Sequence, residues 1–261
     1  MGVDPALVAY EAFAPIYNAF NHSNDYEMWL GRTLLPELRE HGLREGGAAL
    51  DVACGTGRAF GPLLRRGWHV CGCDLSPAML KLAAEESSGA VDLRVADMRS
   101  LPRMGHFDLV LSLNDSINHL LGDDDVLLAL LGMRENLAEN GLLIFDVNAS
   151  PIYTSGYADL KEVEYEGARW LWRGRGEVEP SIFEAEISGD RLDQPIRHLE
   201  RLRSTHEVLE SMQAAGLKTL AVLGMSEAGG QIVLSSPVDE SRDYKLVFIG
   251  AIGSRADHWS S

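Results

Sequence analysis

Five short apolar runs separated by stretches of helical character constrain this chain more than any other feature. They are "AALDV" (48–52), "WHVCGC" (68–73), "VDLRVA" (91–96), "FDLVLSL" (107–113) and "LLIFDV" (142–147). Each is too short for a buried helix and reads as a strand covered on both faces. Helical patterns over 58–66, 77–87 and 123–140 lie between them, the last opening on three aspartates and closing on Asn140-Gly141. Strand-helix-strand alternation predicts an α/β architecture, a doubly wound and mostly parallel sheet with right-handed crossovers. A helix over 205–215 and strands over 217–223 and 244–249, the two strands separated by a Gly-Gly turn, bring the expected strand count to seven.

The segment 162–204 breaks this rhythm. It alternates polar with apolar or aromatic residues and is cut by Gly, Pro and Asp, so it is expected to add antiparallel strands to the sheet's edge. With no repeat and no low-complexity linker, it reads as an insertion spanning 151–204 inside one core, 41–150 plus 205–253.

Net charge narrows the partners. With 23 Lys plus Arg against 39 Asp plus Glu, the formal charge is −16, which argues against nucleic acid or an anionic membrane surface. The same field favours a cationic substrate. The three cysteines, Cys54, Cys71 and Cys73, are too few and too clustered for a disulfide framework and lack partners at zinc-like spacing, so they are expected to be structural, with no metal site. No apolar run reaches the roughly 18 residues that span a bilayer, and 1–20 has no signal-like pattern. A cytoplasmic location is the default expectation.

"LDVACGTG" (50–57) ends the first strand in two glycines, and an acid, Asp74, ends the second. Glycines at a strand-to-helix turn let backbone approach a ligand, and a carboxylate about 20 residues on is placed to accept both hydroxyls of a ribose. The expected ligand is a nucleoside. A dinucleotide fingerprint would need a third glycine at position 60, where Phe60 stands, which weakens a pyrophosphate reading.

"DVACGTG", "GCDLSPAML" and "VADMRSLP", in that order, resemble the motifs of class I S-adenosylmethionine-dependent methyltransferases, over roughly residues 45–147. That resemblance implies a Rossmann-like fold and S-adenosylmethionine as cofactor, bound by Asp51, Ala53, Gly55, Gly57, Asp74, Leu75, Met79, Asp97, Met98 and Asn114. Ala53 stands where the family often has glycine. "YEAFAPIYNAFNHSNDYEMWL" (10–30) resembles the amino-terminal lid, here 1–40, of small-molecule N-methyltransferases from antibiotic and amino-sugar biosynthesis. Pro15 should interrupt its first helix and leave the lid less firmly anchored than the sheet. Tyr10, Phe13, Tyr17 and Phe20 fall at helical spacing, Phe13 and Phe20 reading as core. By the resemblance, Tyr17 reaches the cofactor and its methyl group, and Tyr10 belongs to the acceptor side. "SINHL" (116–120) resembles the segment that carries an active-site histidine in those enzymes, which points to His119.

The acceptor pocket is then expected to draw on Asp146 and Asn148 at the fifth strand's end, and on Trp170, Trp172 and Arg173 of the insertion. Histidine is the side chain whose ordinary titration range suits removing a proton from an amine near neutrality. The expected function is methylation of an amine of a small secondary metabolite, such as an amino sugar of an antibiotic. Two alternatives stay open: an O-methyltransferase, and a non-catalytic module that binds the cofactor. A homo-oligomer is compatible with either.

Overall fold

In the computed structural model, which describes residues 4–22, 24–229 and 231–253, the five apolar runs become five neighbouring parallel strands. These are β1 (Ala48–Val52), β2 (His69–Asp74), β3 (Asp92–Val95), β4 (Phe107–Ser112) and β5 (Leu137–Asn148). Ala49, Leu50 and Val52 of β1 and Leu109, Val110 and Leu111 of β4 are wholly buried. Continuous rather than alternating hydrophobicity follows from helices packing on both faces. With β10 (Leu217–Ala228), β11 (Gln231–Ser235) and β12 (Lys245–Ile252), the strand order is β11-β10-β12-β5-β4-β1-β2-β3, and the chain runs outward from β1 through β2 to β3 before crossing back to β4. The reversal between β1 and β4 opens a crevice at their carboxyl ends, where such sheets bind ligands.

The sheet has eight strands, not seven, and is mixed. β12 (Lys245–Ile252) runs antiparallel to β5, β10 (Leu217–Ala228) antiparallel to β12, and β11 (Gln231–Ser235) antiparallel to β10. The extra strand is "QIVLS", short and half-buried. One residue of the expected Gly-Gly turn, Gly230, lies outside the described residues, as do 1–3 of the lid.

The insertion does not extend the central sheet. β6 (Leu160–Tyr165), β7 (Ala168–Glu179), β8 (Ile182–Gly189) and β9 (Ile196–Arg201) form a separate antiparallel sheet. Its buried face presents Ala168, Trp170, Ile187 and Ile196 to the aromatic stripe of the lid, so it docks by a face instead of an edge. Two helices are shorter than their sequence patterns. α4 is Phe60–Leu64, and α6 (Asp125–Glu135) stops before Asn140. The Asn136 side chain caps α6 by donating to Gly132 O at 2.9 Å, while its oxygen accepts from Met104 N at 2.6 Å. The chain then enters β5 directly. α5 (Pro77–Glu86) and α7 (Thr205–Ala214) fall close to expectation.

The lid begins with α1 (Pro5–Phe13), passes a tight turn at Ala14–Ile16 that contains Pro15, and resumes as α2 (Tyr17–Asn21). Proline at that point removes a backbone donor and ends α1. A wide helical segment, Glu27–Leu34, leads into α3 (Leu35–Glu40). Phe13 is buried against Tyr17, Phe20 and His198, with ring centroids 5.4, 5.3 and 4.9 Å away.

Candidate active site

The turn after β1 sets the geometry of the crevice. Ala53, Gly55 and Gly57 all take positive φ, 58°, 54° and 79°. Alanine in this region costs about 1 kcal/mol, the physical content of its departure from glycine. A Cβ added to Gly57 would strike Phe60 at 2.5 Å, so that glycine serves packing. A Cβ on Gly55 would meet only Tyr17 Oη, at 3.9 Å. The open face of Gly55 is therefore the place where backbone can approach a ligand.

Asp74, at the end of β2, accepts from Gly55 N and from Ser76 N, both at 2.8 Å. Burial pushes its carboxyl up, and the backbone donors oppose this by favouring the ionised form. Asp51, Ala53 and Gly55 line the crevice with Asp74 and Leu75, then Asp97 and Met98 beyond β3, Asn114 and His119 beyond β4, and Tyr10 and Tyr17 from the lid. Gly57 and Met79 do not line it. Met79 is wholly buried under the lid. The lining is compatible with S-adenosylmethionine, for which Asp74 would meet the ribose, Asp97 and Met98 would flank the adenine, and the bare face of Gly55 beside Tyr17 would face the amino-acid portion. Asp74→Ala is expected to weaken S-adenosylmethionine binding by 1.5 to 3 kcal/mol, roughly 10- to 150-fold, read by calorimetry. Asp74→Asn should keep the loop folded while still losing affinity, which separates ligand binding from loop collapse.

The lid is pinned over this crevice at two points. Asp4 caps α1 through one oxygen and pairs with Arg99 Nη2 through the other at 2.7 Å, while the same Nη2 contacts Asp97 at 2.6 Å. Seven residues on and so on the same helical face, Glu11 accepts from Ser76 Oγ at 2.6 Å and Ala78 N at 2.9 Å. Asp97 is partly buried, which would raise its carboxyl, but Arg99 holds it below its ordinary range. Arg99→Met should free α1, and hydrogen exchange over residues 5–13 should quicken both with and without cofactor. Unchanged exchange would mean the aromatic packing alone secures the lid.

On the acceptor side, His119 Nδ1 lies 3.0 Å from Leu199 O. A carbonyl only accepts, so Nδ1 carries a proton there. Nε2 is hydrogen-bonded to Tyr10 Oη at 2.8 Å. His119, Asp115 and Glu200 converge, with one ligand atom of each lying within 4.8 Å of the others. Glu200 is already met by Tyr157 Oη at 2.6 Å, Tyr153 Oη at 2.9 Å and Asn148 Nδ2 at 2.9 Å. Lys245 Nζ bridges Asp115 at 2.9 Å and Asp146 at 2.8 Å. Burial pushes both carboxyls up. Burial would also push the Lys245 ammonium down, but the two carboxylates outweigh it and hold it above its ordinary value.

Several expected pocket residues lie elsewhere. Asp146 is wholly buried and accepts from Asn114 N at 2.6 Å and Asp115 N at 3.0 Å, fixing two consecutive residues at positive φ. Asn148 accepts nothing from the pocket: its amide reaches Glu200, and its backbone N–H donates to Asn118 Oδ1 at 2.9 Å. Both therefore hold the β4 loop and the second sheet in place, because strand-end polar groups buried between two layers must find partners. Trp170 is buried with Nε1 donating to Asp190 O, Trp172 packs beside Tyr157 and His198, and Arg173 is exposed. Sequence reasoning missed Asp115, Glu200, Lys245 and Tyr26. The acid next to Asn114 was visible, but only the fold brings residues 200 and 245 to it.

Residues 49–141 match the family model described as a methyltransferase domain. The chain is 33% identical over 146 residues to a methyltransferase-named protein of Geobacillus sp. (strain WCH70), covering 55% of this chain and 59% of that one. It is 40% identical over 114 residues to the glycine/sarcosine N-methyltransferase of Parasynechococcus marenigrum (strain WH8102), covering 42% and 39%. To the ubiquinone biosynthesis O-methyltransferase of Cereibacter sphaeroides (strain KD131 / KCTC 12085) it is 33% identical over 160 residues, 59% of each. The chain thus spans less than two thirds of the length of these relatives. Among solved structures, it is similar to an S-adenosylmethionine-dependent methyltransferase from Clostridium acetobutylicum ATCC 824, with TM-score 0.75, 21% identity, and 94% and 99% of the two chains covered. It is also similar to CalS10, an amino pentose methyltransferase from Micromonospora echinaspora, with TM-score 0.69, 21% identity, and 91% and 95% covered.

Proposed function

From a chain that has the class I S-adenosylmethionine-dependent methyltransferase fold and carries a methyltransferase domain over residues 49–141, we propose methyl transfer to an amine of a small molecule, such as an amino sugar of an antibiotic. The observation that carries the amine reading is the convergence of Asp115 and Glu200 on His119. With Asp146 and Lys245 behind them, carboxylates outnumber the cation in formal charge beside His119 and leave that end of the pocket negative. Such a pocket attracts an ammonium ion and disfavours a phenolate. Its relatives include both N- and O-methyltransferases, and the charge of the pocket favours the former.

When bound, S-adenosylmethionine supplies a methyl group already activated on a sulfonium. The protein's task is then alignment and exclusion of water. Asp115 and Glu200 draw in the ammonium. Its proton passes to His119 Nε2, directly or through Tyr10 Oη, which is hydrogen-bonded to that nitrogen. Tyr17, beside Gly55, shapes the passage to the methyl, and its buried phenol stays protonated because burial pushes it up. The lid covers the reaction.

Labelled S-adenosylmethionine incubated with the protein and matched pairs of amines and phenols is the test. Label is expected in amines. Label in phenols alone would establish the O-methyltransferase alternative, and label in neither would leave the chain a cofactor-binding module.

A further inference from the structure

A groove of about 310 Å³ lies between residues 24–29, the β10–β11 hairpin and the start of β12. Its apolar floor consists of Met28, Trp29, Met225, Ile232 and Tyr244. Trp29 is 7% exposed, and its Nε1, a donor, has no hydrogen-bond partner among the described residues. That nitrogen is enclosed, so the apolar surface of the ring is what Trp29 offers the groove. Two facts tie the groove to the catalytic crevice. Tyr26 and Asn114 wall both spaces. Lys245, which lines the groove, bonds Asp115 through Nζ at 2.9 Å.

We propose that this groove is the acceptor subsite: it takes the apolar, non-anionic body of the amine, while the amine itself points past Tyr26 and Asn114 to Asp115. The inference rests on the amine reading above and adds what the rest of the acceptor must be. Rim carboxylates come from Asp25 and Glu227, and the charge of Lys245 is taken up by Asp115 and Asp146. An anionic body is repelled. A planar or aliphatic body lies on Trp29 and Tyr244. Tyr26 works as the partition that fixes how far the amine reaches.

Calorimetry on the full chain saturated with S-adenosylhomocysteine tests this with three probes: phenethylamine, methylamine as the head alone, and 4-(2-aminoethyl)benzoate as the same amine on an anionic body. Phenethylamine should bind at least about tenfold more tightly than either of the others. Ile232→Trp, on a half-buried edge strand, should fill the groove and weaken phenethylamine by about tenfold or more. Glu227→Lys, at an exposed rim position, should leave the fold intact and strengthen 4-(2-aminoethyl)benzoate several-fold. Ile232→Trp should leave methylamine affinity unchanged, and both should leave S-adenosylhomocysteine affinity unchanged. Phenethylamine no better than methylamine or indifferent to Ile232→Trp, or the benzoate indifferent to Glu227→Lys, overturns the subsite. If phenethylamine binds and Ile232→Trp abolishes that binding, yet no amine accepts label, the subsite stands and the amine chemistry falls. If amines are methylated with no effect of either substitution, the chemistry stands and the subsite falls.

Discussion

His119→Asn is expected to slow amine methylation by roughly 10²- to 10⁴-fold, the range for losing a general base, with S-adenosylmethionine affinity nearly unchanged. Asparagine can still meet Leu199 O, so the local packing survives while the lone pair facing Tyr10 is lost. Raising the pH should restore part of the rate, because an amine acceptor sheds its own proton in solution as alkalinity rises. An aliphatic alcohol does not do so in the accessible range. Tyr10→Phe should lose less, since it removes the cap and leaves the base. Tyr17→Phe should lower the rate at every pH, because it disturbs placement and not proton transfer. A pH-rate profile of His119→Asn that matches the unsubstituted enzyme would show the histidine to be structural.

The cofactor half of this site was legible because its determinants are local. A strand end, two glycines and the acid of the next strand lie within 50–74, and backbone geometry alone forces Gly55 and Asp74 together at 2.8 Å. On the other side of the crevice, one loop carries the expected His119, which does line it. Glu200 arrives from the second sheet and Lys245 from β12, and no periodicity within either strand marks them. Asp146 shows the converse. An acid at a strand's end was expected to face the pocket, but the neighbouring backbone, Asn114 and Asp115 both at positive φ, leaves N–H groups that need an acceptor. The carboxylate turns to them instead. The second sheet was misplaced for a related reason: alternation in 162–204 identified strands with one buried face, yet it carries no information about whether that face or the strand's edge finds the core.

Lys245→Met is expected to destabilise the protein by about 3 to 5 kcal/mol, the cost of breaking a buried ion pair by removing one partner. The size follows from what Lys245 does. Its Nζ lies between two carboxylates at 2.9 and 2.8 Å, and Asp146 is wholly buried. Without the ammonium, those carboxylates face each other in a poorly solvated site, and both are already pushed up by burial. The sign of the pH dependence follows. A carboxyl whose folded value exceeds its unfolded one binds protons more readily when folded, so the penalty in Lys245→Met should be full at neutral pH and shrink as pH falls and the carboxyls protonate. Denaturant unfolding at pH 8 and pH 5 should therefore show the gap to the unsubstituted protein narrowing at the lower value. Adding Asp115→Asn to Lys245→Met removes one of the two stranded charges and spares the Asp146 bonds to the loop, so it should recover part of the loss, whereas Asp115→Asn alone should cost less than Lys245→Met. A gap that is constant with pH would mean that Lys245 stabilises by packing its aliphatic stem, and that the Asp115 charge facing His119 is held by something other than this ion pair.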